Sequence, residues 1–265
     1  MVSATTIICI LFSMFFSVAL PLVMAIVIKK KFNTSLKPFL AGCLIWFVFA
    51  MVLEQIMHSI VLGSGVGNFI QNNIWLYGLY GGLAAGIFEE VGRFVAIKFM
   101  LKNTYSNKYN AVMYGAGHGG FEAFFLLGTA MLNNLIYSIC VNTGTLDLLT
   151  APLTGEQKEA FEQVINSLIV SKPYVFLVGD FERISAVILH IGLSLLVWSA
   201  VVYGKKIMFF LAIFFHFLVD ALTVIINGYI GNVFILEGII FVMAAVITFL
   251  SVCIWKKAAD ENLTV

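Results

Sequence analysis

The stretch Ile74-Trp75-Leu76-Tyr77-Gly78-Leu79-Tyr80-Gly81-Gly82-Leu83-Ala84-Ala85-Gly86-Ile87-Phe88-Glu89-Glu90-Val91-Gly92-Arg93-Phe94-Val95-Ala96-Ile97 is long enough to cross a bilayer as a helix. It nevertheless carries two glutamates and an arginine. A span needs about 20 apolar residues to cross roughly 30 Å of hydrocarbon. A charge at the centre of such a helix costs about 2.5–3.5 kcal/mol even on lenient insertion scales, so charged groups there face a bundle interior and pair with one another. The stretch therefore reads as one helix of a membrane bundle with a polar centre.

The rest of the chain agrees. Of its 265 residues 61% are hydrophobic and 11% charged, with a mean hydropathy of +1.02, too little charge to cover a soluble domain of this length. The net charge of +1 gives no reason to expect nucleic-acid binding. Cys9, Cys43, Cys140 and Cys253 lie in or beside apolar stretches without a CxxC pair and read as packing residues. Seven segments qualify as spans, at about 4–28, 39–62, 74–100, 109–139, 174–203, 206–226 and 231–255. The expected fold is an all-α, polytopic bundle forming a single membrane domain over 1–265. The apolar run near the N-terminus reads as the first span rather than a cleaved signal, because no basic residue precedes it and it is too long for an h-region.

Lysines set the orientation. Lys29, Lys30, Lys31 and Lys37 fill the first loop, and Lys98, Lys102 and Lys108 bracket the third. Lys205 and Lys206 follow the fifth span, and Lys256 and Lys257 the seventh. The loops at 63–73 and 227–230 are uncharged, and 140–173 is acidic. The alternation places the N-terminus outside and the C-terminus in the cytoplasm, as expected of a multi-pass cell-membrane protein. Within the outer loop, 155–171 has helical periodicity, with Thr154 as a candidate cap.

Both arginines, all four histidines and eight of the 14 acids fall inside spans. Helical spacing sorts them. Arg93 can pair with Glu89 or Glu90, and two adjacent carboxylates in a dry site suit general acid/base work. His118 and Glu122 share a face amid four glycines, Gly115 and Gly119 forming a small-xxx-small pair that lets backbones approach. His216 and Asp220 repeat the i,i+4 layout, which can fix an imidazole's tautomer. Arg183 and His190, seven apart, share a face. Glu54 and His58 read as supporting structure as readily as function, and Glu237 as a satisfied helix–helix hydrogen bond. With about 1.5 Å rise per residue, Glu89, Glu90, His118, His190 and His216 fall at a common depth on four helices, so one site is expected.

Glu89-Glu90…Arg93, Tyr114…His118 and His216…Asp220, in that order, resemble the EExxxR, FxxxH and HxxxN/D series of the CAAX prenyl protease and bacteriocin-processing intramembrane proteases. The closer resemblance is to the YhfC-like intramembrane peptidases, carried by EExxR, the GxGHGG-E stretch and Glu182-Arg183…His190. It runs over spans three to six, about half the chain. It implies a glutamic-type peptidase in which Glu89 with His118 activates water, His216 and Asp220 stabilise the oxyanion, and Glu90 and Arg93 hold the first carboxylate. Glu122, Glu182, Arg183 and His190 would support them. The arginine stands one residue closer to the glutamates than in the CAAX proteases, Tyr114 replaces Phe, and Asp220 stands where the prenyl protease has Asn.

The implied substrate is a membrane-embedded or lipidated polypeptide, and no cofactor is required. His118, His190 and His216 with a carboxylate could instead bind zinc, although there is no HExxH. A proton-coupled transporter is the alternative from another class, but no internal repeat of the transporter kind is evident. A seven-helix receptor or retinal protein lacks a reason for the cluster, and no lysine between 232 and 255 could carry a retinal Schiff base. A structural scaffold would not explain the cost of the buried charges.

Overall fold

A computed structural model describes residues 1–263. Seven long helices dominate it: α1 (Ala4–Phe32), α2 (Lys37–Leu62), α3 (Ile74–Val95), α4 (Asn110–Thr143), α5 (Val178–Val202), α6 (Ile207–Asn227) and α7 (Val233–Leu263). Among the described residues there is no strand. Six of these helices are long and apolar enough to cross a membrane, α5 together with the 3-10 turn Pro173–Leu177 before it. The remaining one, α3, is 22 residues long, but Glu89, Glu90 and Arg93 depress its hydropathy. The bundle surface is apolar, as a lipid-facing surface must be: Phe15 is 70% exposed and Phe249 67%.

Connections hold smaller pieces. The uncharged 63–73 loop contains a short helix, Gly65–Gln71, and the acidic loop contains Asp147–Thr150 and Glu156–Val170. Thr154 does not cap the last of these. Gly155, at φ 52°, takes the capping position, and no side chain bonds the first turn, because the left-handed backbone there suits glycine.

The lysine-bearing ends of the helices meet at one end of the bundle. Asn107 Nδ2 donates to the carbonyls of Phe32 and Asn33, Tyr109 stacks on Phe32 and meets Trp255 edge-on, and Lys205 pairs with Glu261 at 2.6 Å. At the opposite end Asn142 bonds both backbone groups of Val2.

Glycines set the helix spacing. A Cβ on Gly117 would sit 2.1 Å from the Phe39 carbonyl oxygen of α2, and one on Gly115 2.6 Å from Ile191 Cα of α5. The glycine-rich run of α4 is thus wedged between α2 and α5. On α3, Gly78, Gly82 and Gly86 lie against Ala221, Phe217 and Ile213 of α6. This second small-residue stripe brings Glu89 and Glu90 within reach of His216.

Candidate active site

Glu89 Oε2 is the centre of the polar cluster. It lies 2.8 Å from His118 Nε2 of α4, 4.0 Å from His190 Nδ1 of α5 and 4.0 Å from His216 Nε2 of α6. The three imidazoles form a contiguous arc, with ring centroids 4.8 Å apart for His118–His190 and 5.3 Å for His190–His216. All are buried.

Carboxylates outside this arc hold two of the rings. His190 Nε2 lies 2.6 Å from Glu122 Oε2, and Arg183 Nη1 donates to the other Glu122 oxygen at 2.7 Å. Arg183 also pairs with Glu182. His216 Nδ1 lies 2.8 Å from Glu90 Oε1, while Arg93 Nε donates to Glu90 Oε2 at 2.9 Å. Arg93, fully buried, further donates to Ser194 Oγ and, at 3.1 Å each, to the His190 carbonyl and His190 Nδ1. Removing either partner of such a buried pair leaves an uncompensated charge.

The structure selects among the pairings that spacing leaves open. Arg93 chooses Glu90, three residues back, over Glu89. His118 turns to Glu89 on α3 rather than to Glu122 on its own helix, and Glu122 takes His190 and Arg183 instead. Asp220 lies 3.4 Å from His216 Nε2, whereas Glu90, from a neighbouring helix, fixes the His216 ring through Nδ1. Spacing along one helix ranks only local partners, and crossing helices supply closer ones. Glu237 shows no helix–helix hydrogen bond at Oε2, which is buried without a partner among the described residues. Glu54 does meet His58, at 3.1 Å, and His58 Nδ1 meets Tyr80 at 2.8 Å, on a helix that runs as a π-helix from Phe47 to Glu54. Ser194 is the residue the sequence reading missed. Its only signal is a hydroxyl one turn beyond His190.

A small cavity of about 120 Å³ opens onto this cluster, lined by Glu89, Glu122, His190, His216 and Asp220 with Ile240 and Ala244 of α7. The side chains of Glu182 and Asp220 are its exposed members, at 43% and 37%. It is large enough for a few waters.

The model of a family described as YhfC intramembrane metalloprotease matches residues 16–240. This chain belongs to that family. It is 35% identical over 229 residues to the membrane protein YhfC of Bacillus subtilis (strain 168), covering 85% of this chain and 87% of that one. No solved structure matches. The YhfC match spans every residue of the cluster, from Glu54 to Glu237.

The residues of the cluster suit a metal ion. Glu89, His118 and His190 each offer a ligand atom, all within 4.8 Å of one another, and all three are buried. Imidazole nitrogen and carboxylate oxygen are zinc donors. His118 Nδ1 is buried without a partner, so either tautomer of that ring is open to it. His190 and His216 place their outer nitrogens on carboxylates, as metal-binding histidines commonly do. At His190 Nδ1 a metal would displace Arg93 Nη2, which leaves Arg93 with Glu90, Ser194 and the His190 carbonyl.

Proposed function

We propose that this protein is a membrane-embedded zinc peptidase acting on a membrane-embedded or lipidated polypeptide. Glu89, His118 and His190 would hold the ion and His216 would carry the proton. The observation that supports this most is the two-layer arrangement: inner nitrogens of His190 and His216 turned toward Glu89, outer nitrogens held by Glu122 and Glu90. A bound zinc ion lowers the pKa of a coordinated water to about 7 and polarises a carbonyl. The protein's own groups do the rest. With Nδ1 committed to Glu90, His216 presents Nε2 to the cavity. It accepts the proton that water loses on attacking the peptide carbonyl carbon and returns it to the departing amide nitrogen. Asp220, 3.4 Å from that Nε2, steadies the imidazolium. Glu90 keeps the ring's orientation and is itself fixed by Arg93.

A metal-free reading is favoured by one contact, the 2.8 Å approach of Glu89 to His118. There Glu89 itself takes the proton from water, and His216 with Asp220 steadies the oxyanion. The two readings share a site and differ in their need for metal. We read α3 as a seventh span, with the N-terminus outside and the lysine-bearing end in the cytoplasm.

The test is mass-spectrometric mapping of new protein termini in membranes expressing wild type or Glu89→Ala at equal levels. Termini that depend on wild type support the peptidase. Their loss on zinc chelation and return with added zinc favour the metal reading, and activity that survives chelation favours the glutamate one. Absence of wild-type-dependent termini, with proton flux through the reconstituted protein, would replace the peptidase by a transporter.

A further inference from the structure

At the lysine-bearing end, on the lateral surface, a second cavity of about 640 Å³ lies between the ends of α3 and α5 and the start of α6. Its walls are Phe94, Tyr105, Ala200, Val201, Phe209 and Phe210, and its rim carries Lys98, Lys102 and Lys206. No acidic side chain lines it. The neighbouring Lys205 is engaged by Glu261, whereas Lys98, Lys102 and Lys206 have no acidic partner within 4.0 Å among the described residues. Lys98 and Lys102 lean over aromatic rings instead, Lys98 at 5.1 Å from Phe94 and Lys102 at 5.8 Å from Phe99. Phe210 is 62% exposed at the cavity edge, so the opening faces the same apolar surroundings as the outer face of the bundle.

The geometry points to a binding site for one anionic phospholipid, its phosphate among Lys98, Lys102 and Lys206 and the head of an acyl chain against Phe94, Phe209 and Phe210. Two lysines from the stretch that follows α3 and one from the turn before α6 meet at one apolar cavity, where a lone surface lysine would have been enough to mark the interface. Basic pockets between helices at this depth suit anionic headgroups, and an apolar wall suits a tail rather than a free soluble anion. Phe94 on the cavity wall lies about 7–8 Å along α3 from Glu89, by the rise of a helix. Phe94 and Phe209, both lining the cavity with ring centroids 5.1 Å apart, belong to the two helices that carry Glu90 and His216. A bound lipid therefore braces those helices against each other.

Purified protein in detergent would be examined by native mass spectrometry and thermal unfolding with dioleoylphosphatidylglycerol, dioleoylphosphatidylcholine or inorganic phosphate. Each lysine near a charged headgroup contributes roughly a five-fold preference, so three give on the order of a hundred-fold. Wild type is expected to retain phosphatidylglycerol over phosphatidylcholine and to unfold at a higher temperature with it, while phosphate alone does neither. Lys98→Gln/Lys102→Gln/Lys206→Gln is expected to lose the preference, and Lys29→Gln/Lys30→Gln/Lys31→Gln to keep it. Should the first triple variant not fold, each single Lys→Gln variant is expected to lose roughly five-fold. An unchanged preference in the cavity variants overturns the site. So does an equal loss in the loop variant, which would indicate diffuse surface charge, or stabilisation by phosphate alone.

Discussion

Glu122 Oε2 lies 2.6 Å from His190 Nε2 while its other oxygen accepts from Arg183. One carboxylate on α4 thus orients the imidazole on α5 whose inner nitrogen faces Glu89. Glu122→Gln keeps the shape and loses the charge. Outer partners of this kind change metal affinity by about 10–100-fold. Zinc titration of the variant is expected to show a loss in that range, with cleavage restored at saturating zinc. Unchanged affinity would mean that His190 is not a ligand.

Arg93 ties α3 to α5 through Ser194 and the His190 carbonyl while pairing with Glu90 on its own helix. Lysine lacks the planar fork needed to serve all of these at once. Arg93→Lys keeps the charge opposite Glu90 but leaves buried acceptors unserved, and is expected to destabilise the protein by about 1–3 kcal/mol, read as a lowered unfolding temperature in detergent. Ser194→Ala, which removes one acceptor, is expected to cost about 1–3 kcal/mol.

Two glycines separate packing from exposure. A side chain on Gly117 meets the Phe39 backbone, while nothing lies within 4 Å of a Cβ on Gly81. Gly117→Val is expected to abolish accumulation of folded protein. Gly81→Ala is expected to be neutral or to stabilise by up to about 1 kcal/mol, the helix-propensity difference. Size-exclusion profiles and unfolding temperatures of the two variants distinguish these outcomes.

Glu237 Oε2 is buried with no hydrogen-bond partner. Leaving such a group unsatisfied costs about 1–3 kcal/mol. Glu237→Leu is therefore expected to raise the unfolding temperature. A fall would show that the carboxyl has a partner in the membrane.

The helices were legible because each is a long apolar run ended by lysines or turn residues, and the rule of common depth gathered residues from four of them that the structure brings together. What the sequence could not show was partner choice. His118 and Glu122 are neighbours on one turn, yet one reaches Glu89 on α3 and the other His190 on α5, because partners on crossing helices come closer than the i,i+4 neighbour. The same limit hid Ser194 and gave Glu237 a bond that its Oε2 does not make among the described residues. Lys98 and Lys206, far apart in sequence, read as ordinary end-of-span lysines until the helix ends brought them to one cavity.

The most direct test of a zinc site built on Glu89, His118 and His190 is the metal content of the purified protein, measured by inductively coupled plasma mass spectrometry alongside cleavage. Wild type is expected to carry about one zinc ion per chain, the stoichiometry of a single-metal catalytic site. Glu89→Ala, His118→Ala and His190→Ala are each expected to lose both zinc and cleavage. A metal-free wild type that still cleaves would contradict the zinc site and leave Glu89 as the base.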